Sequence, residues 1–122
     1  MKKIIGLTLL VFILFSCKKN ELGGNSVIQG VVMHHAKVIT SASVFIKFNA
    51  TDQPSDDTTA YDAKVRVDKN GNFKFNVYKG NYFLYGYGYD YTIAAPYIVV
   101  GGLAVKIKSK QTITNTLYIS EQ

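Results

Sequence analysis

Asp68-Lys69-Asn70-Gly71-Asn72-Phe73-Lys74-Phe75-Asn76-Val77-Tyr78-Lys79-Gly80-Asn81-Tyr82-Phe83-Leu84 is the stretch from which the fold can be read. From Asn72 to Val77 polar and apolar residues alternate without a break, the pattern of a strand with one buried face. Phe73, Phe75 and Val77 form the apolar set. Turn chemistry flanks the strand on both sides. Asp68 can bond its own downstream backbone, and Asn70-Gly71 tolerates the positive φ that tight turns require. Lys79-Gly80-Asn81 is expected to make a second hairpin, leading into a strand that buries Tyr82 and Leu84.

The same period extends outward across the chain, with almost no helical periodicity. Seven strands are expected: Val27 to Met33, Ala42 to Asn49, Thr59 to Val67, Asn72 to Val77, Tyr82 to Tyr89, Ile98 to Lys108 and Gln111 to Ser120. Ala42, Val44, Ile46 and Phe48 share one face, as do Tyr61, Ala63, Val65 and Val67, with Lys47, Lys64 and Arg66 opposite. One apolar and one polar face per strand suits two packed sheets. Seven short strands separated by turns in under 100 residues point to an all-β, seven-stranded antiparallel Greek-key β-sandwich over residues 26–122. Gly101-Gly102 interrupts the sixth strand and is expected to mark a bulge.

Particular residues also carry a family likeness. Ile28-x-Gly30-x-Val32 followed by Ala42-x-Val44-x-Ile46, and then Asp68-x-x-Gly71-x-Phe73-x-Phe75-x-Val77-x-x-Gly80-x-Tyr82-x-Leu84, resemble carboxypeptidase regulatory-like domains. The resemblance implies a transthyretin-like (prealbumin-like) seven-stranded sandwich, and a module that stabilises, spaces or binds rather than catalyses. Thr40-Ser41 stands where that family usually carries a proline.

The first seventeen residues hold a second signal. Met1-Lys2-Lys3 is a short basic start, and Ile4 to Ser16 is an uncharged, largely apolar run. As a helix that run would span about 20 Å, short of the roughly 30 Å hydrocarbon core, so it reads as an export signal over residues 1–16 and not as a transmembrane helix. Leu14-Phe15-Ser16-Cys17 resembles the lipobox of bacterial lipoproteins, which implies acylation at Cys17. Cys17 is the only cysteine, so no internal disulfide can form. Acyl chains at about 0.8 kcal/mol per buried methylene would give lasting attachment to a membrane. Residues 18–25 are polar and glycine-containing and are expected to be a tether. Lys18 is not the aspartate that retains some lipoproteins in the inner membrane, which implies an outer-membrane location where a cell has two membranes.

Charge and site chemistry remove several classes of function. The formal net charge is +6. Without Lys2 and Lys3 the 14 basic residues fall to 12 against 8 acidic ones, leaving +4. The cations are dispersed, and Arg66 is the only arginine, which argues against nucleic acid as a partner. His34 and His35 are neighbours that a strand would point to opposite faces, so they are expected to be solvated and not joint metal ligands. Asp52, Asp56, Asp57 and Asp62 offer hard oxygen atoms but match no calcium-loop spacing. Hydroxyisourate hydrolases of transthyretin-like fold end in a Tyr-Arg-Gly-Ser segment; this chain ends Tyr118-Ile119-Ser120-Glu121-Gln122. No enzyme activity, cofactor or metal is expected.

One strand departs from an ordinary sandwich. In Tyr82-Phe83-Leu84-Tyr85-Gly86-Tyr87-Gly88-Tyr89-Asp90-Tyr91 every odd position is aromatic. With Tyr82 and Leu84 turned inward, the row faces outward and offers on the order of 1,000 Å². That exceeds the roughly 300–600 Å² of the largest apolar patch on an ordinary monomer. Neighbouring segments either cover the row or leave it to bind. Packing is the expected role of Phe83 and Tyr85, and Tyr87 and Tyr89 are the better candidates for contact. Tyr85, Tyr87, Tyr89 and Tyr91 make up the candidate ligand surface. Two functions therefore stand: a non-catalytic structural or binding module of the cell envelope, anchored through Cys17, or a lipoprotein that binds a glycan or small ligand on its tyrosine-rich strand.

Overall fold

The expected alternation becomes two facing sheets in the computed structural model, which describes residues 18–122; the expected export signal and the expected acylation site at Cys17 lie outside the described residues. The first sheet is built around β1 (Leu22–His34), flanked by β5 (Asn72–Val77) and β8 (Thr112–Tyr118). A two-residue β2 (Lys37–Val38) folds back on the end of β1. The second sheet runs β4 (Ala63–Arg66), β3 (Ser43–Phe48), β6 (Gly80–Tyr89), β7 (Ile98–Ile107), β9 (Ser120–Glu121). The inward faces meet in a core of Ile28 and Val32, Phe73, Phe75 and Val77, Val44 and Ile46, and Tyr82 and Leu84, completed by Val105, Ile107, Leu117 and Ile119. Among the described residues no hydrophobic core residue precedes Ile28, and every strand lies within 22–121. The core of the described residues is drawn entirely from positions 28–119.

Several expected details differ. The sandwich is not wholly antiparallel: β8 pairs with β1 in parallel, from Val27 opposite Thr112 to Met33 opposite Tyr118. The cause is the connection at 108–111, which crosses from the second sheet to the first at the end where β1 begins, so β8 must run alongside β1. Among the described residues there are nine strands, two of them with only two residues. The turns before and after β5 are not hairpins within a sheet. Asp68 closes the first, accepting from the backbone N–H groups of Asn70 (2.8 Å) and Asn72 (2.9 Å) while Gly71 takes φ +78°, but it links β4 and β5 across the two sheets. The 78–79 connection crosses back.

β1 starts at Leu22, inside the expected tether, and its pairing with Val77 slips between Leu22 and Ser26. The bulge is there and not at Gly101-Gly102, where β6 and β7 stay in register from Gly80–Ile107 to Tyr89–Ile98. Those glycines instead admit neighbours. A Cβ on Gly101 would lie 2.3 Å from the Tyr118 carbonyl oxygen, and one on Gly102 would lie 2.5 Å from the Phe83 ring. Thr59 to Tyr61 is not strand: Thr58–Ala60 is a single 3-10 turn capped by Asp57, and Tyr61 leaves the face of Ala63 and Val65.

Candidate functional site

β6 is the central strand of the second sheet, and its odd positions line that sheet's outer surface. The register is unbroken on both sides, so alternation sends Tyr82 and Leu84 inward as expected and the aromatic row outward. The row then divides. The loop at 49–62 folds over its first half and lays Tyr61 on Tyr85, with ring centroids 5.5 Å apart and planes 14° from parallel. Tyr61 is held there by its hydroxyl, which donates to the Ser55 carbonyl at 2.8 Å. Phe83 lies over Gly102. Tyr85 is thus only 1% exposed and drops out of the candidate surface, because a second aromatic layer seals it. Burial, then the nearby Tyr85 and Asp56, push the Tyr61 hydroxyl up to about 12.

The second half stays open. Tyr87 meets Tyr89 edge to face at 5.9 Å, Tyr89 stacks with Tyr91 at 6.2 Å, and Tyr91 leans on Tyr97 at 5.2 Å. Tyr89 is 39% and Tyr91 69% exposed. The rings form a continuous ribbon from the end of β6 onto the turn that follows. Beside it lies a groove of about 470 Å³. Its floor comes from one row across three strands, since Ser43 pairs with both Arg66 and Tyr87. Ser41 lines it next to Tyr89, whose backbone N–H donates to the Ser41 hydroxyl at 3.0 Å. Asp56, Asp57 and Thr58 close the rim. The side chains gathered here are ring faces, hydroxyls, carboxylates and one guanidinium, which can stack against and hydrogen-bond a polyhydroxylated ligand. A concavity of about 420 Å³ on the opposite sheet, walled by Gln29, Asn72, Thr114 and Thr116, has Phe73 as its one ring, and that ring is buried in the core and offers no open face.

The turn carrying Tyr91 and Tyr97 is fixed by Asp90, which is buried. Its carboxylate accepts from the Thr92 hydroxyl (2.6 Å) and backbone N–H (3.0 Å), contacts His34 Nδ1 (2.7 Å) and accepts from Lys37 Nζ (3.0 Å). The Thr92 hydroxyl, His34, the Thr92 N–H and Lys37 together hold it well below the ordinary carboxylate range. Asp90 N–H also donates to the Tyr97 carbonyl at 2.8 Å, closing the loop. His34 is therefore not solvated as expected; it is buried against Asp90. Strand alternation fails at His35, whose φ is +54°, and the two imidazoles lie 4.3 Å apart. Among the described residues no three His, Cys, Asp or Glu side chains gather as a metal site. Asp57 is engaged locally, accepting from Thr59 N–H (2.9 Å) and hydroxyl (2.7 Å).

The sequence reading of the row omitted Arg66 and the Asp56–Thr58 rim. Both outward positions were readable, but only the β3–β4 pairing and the fold-back of the 49–62 loop bring them to Tyr87. The His34–Asp90 contact joins residues 56 apart and left no local signal.

No protein-family model and no curated protein sequence matches the chain. Solved structures that are similar include the following two. One is a candidate carbohydrate-binding protein from Pseudomonas aeruginosa, with a TM-score of 0.55 and 14% identity over 86% of this chain and 93% of the other. The second is a DUF3823 family protein from Parabacteroides merdae, with a TM-score of 0.49 and 16% identity over 80% of this chain and 47% of the other. At these identities the first likeness establishes the architecture: the chain is an all-β sandwich of two sheets.

Proposed function

We propose that this protein is a non-catalytic binding module of the bacterial cell envelope, held to a membrane by acyl chains on Cys17, and that its Tyr87–Tyr97 face takes a glycan. The observation that carries the reading is the open aromatic ribbon lying against a groove of mixed polar groups. Rigid rings bring contact area at low entropic cost, and their hydroxyls add hydrogen bonds. The likeness to the Pseudomonas protein, itself described as a candidate carbohydrate binder, supports the choice of ligand. The lipobox-like Leu14-Phe15-Ser16-Cys17 supports the anchor, and the resemblance to carboxypeptidase regulatory-like domains supports a module without chemistry of its own. Where the cell has two membranes, the outer one is the proposed location.

Retention on a glycan array and on envelope polysaccharide tests the reading. Tyr89→Ser and Tyr91→Ser should each lose retention while melting within a few degrees of wild type, because neither ring belongs to the core. Wild-type protein that no glycan retains, or full retention by both variants, would overturn it.

A further inference from the structure

Lysines gather at one end of the sandwich. At that end the chain enters the fold, and Asn20 fastens it to the connection between β5 and β6. Its N–H donates to the Lys79 carbonyl, and Asn81 N–H donates to its side-chain oxygen, both at 2.9 Å. Around this point lies a hollow of about 360 Å³ bounded by Lys19, Lys79, Lys106 and Lys108. A neighbouring hollow is lined by Lys18 and Lys79, and the Lys18 ammonium sits 5.8 Å from the Tyr78 ring. Among the described residues the lysine ion pairs are Lys37–Asp90 and Lys47–Asp62, so none of these five is paired. β6 runs from this end at Gly80 to the other at Tyr89, ten residues, or about 30 Å.

We infer that the lysine-lined end is a contact surface for anionic phospholipid headgroups, so that the domain stands on its membrane with the aromatic face turned away. The inference rests on the proposed anchor, since Cys17 immediately precedes Lys18 and would place its acyl chains beside this surface. Compact, strongly hydrated ammonium groups suit the diffuse phosphate layer of a bilayer. The protein's one guanidinium, Arg66, belongs to the groove near the opposite end. A nucleic-acid track would interleave exposed rings with its cations; the open ribbon of this protein lies at the far end instead.

The test uses residues 18–122, without lipid, so that it does not depend on acylation. Co-sedimentation is measured with vesicles of phosphatidylcholine alone and with about one third phosphatidylglycerol. Binding should require the anionic lipid and disappear near 1 M salt, where charges are screened within about 3 Å. Lys79→Glu, Lys106→Glu and Lys108→Glu combined should weaken it at least about a hundredfold, from roughly fivefold per lysine. Lys64→Glu, Lys69→Glu and Lys74→Glu combined, with the same net charge, should retain most of it. Melting curves verify that both variants are folded. Equal loss in the two triple variants, equal binding to neutral vesicles, no binding at low salt, or tighter binding to duplex DNA than to the anionic vesicles would each overturn the inference. None of these results touches glycan retention, which is read separately.

Discussion

Tyr82 and Tyr85 stand three residues apart on β6, both buried, and their hydroxyls meet opposite surroundings. Tyr82 points into the core and donates to the carbonyls of Tyr78 (2.6 Å) and Glu21 (3.2 Å). Tyr85 lies under Tyr61, and its hydroxyl has neither partner nor solvent. A polar atom buried without a partner costs about 1–3 kcal/mol, and removing it recovers part of that. Tyr85→Phe should therefore leave stability unchanged or raise it by about 1 kcal/mol, whereas Tyr82→Phe should lower it by about 1–2 kcal/mol. Urea titrations of the two variants compare them directly, and the opposite order would show that the outer aromatic layer is more open than described. Phe75 lies on the buried face of β5. Phe75→Ala should cost about 3–5 kcal/mol, and a loss below about 1 kcal/mol would contradict that placement.

At the scale of elements, the turn after β6 depends on one carboxylate. Asp90 is more acidic in the folded chain than in the unfolded one, so its contribution is present above its unfolded value, near 4, and is lost as pH falls through and below it. Asp90→Asn should melt lower than wild type at neutral pH, and the gap should close between about pH 5 and pH 2. A gap that stays constant across that range would mean the turn does not rely on the charged form. The β1–β8 pair depends instead on a glycine. A Cβ on Gly30 would lie 1.6 Å from the Asn115 carbonyl oxygen, so Gly30→Ala must push the two strands apart.

Individual strands were legible where the period of two held. Phe73, Phe75 and Val77, and Tyr82 and Leu84, face the core as their alternation required. Sheet membership was not legible, because Asp68-Lys69-Asn70-Gly71 reads the same whether it turns within a sheet or steps between two. The parallel β1–β8 pairing joins residues 85 apart and is fixed by which end the chain returns to, which no local pattern records. The candidate site was half readable: Tyr87, Tyr89 and Tyr91 were visible in sequence, but the burial of Tyr85 depended on where a polar loop places Tyr61.

For the molecule as a whole, the proposed anchor and the fold are expected to be separable. Cys17→Ala should abolish incorporation of a clickable palmitate analogue and block normal processing of the export signal, while residues 18–122 still fold. Equal labelling of wild type and variant would refute acylation at that residue. Because β1 and β8 run the same way, residues 18 and 122 lie at opposite ends of the sandwich. Tension applied between them draws the two strands in opposite senses, loading the seven facing pairs from Val27–Thr112 to Met33–Tyr118 together in shear. Force applied between residues 80 and 107, the open end of the β6–β7 pair, would instead peel those strands apart one rung at a time. Single-molecule pulling should give the higher rupture force in the first geometry. If the proposed anchor and the proposed glycan contact both hold, mechanical load on the module runs along its more resistant direction.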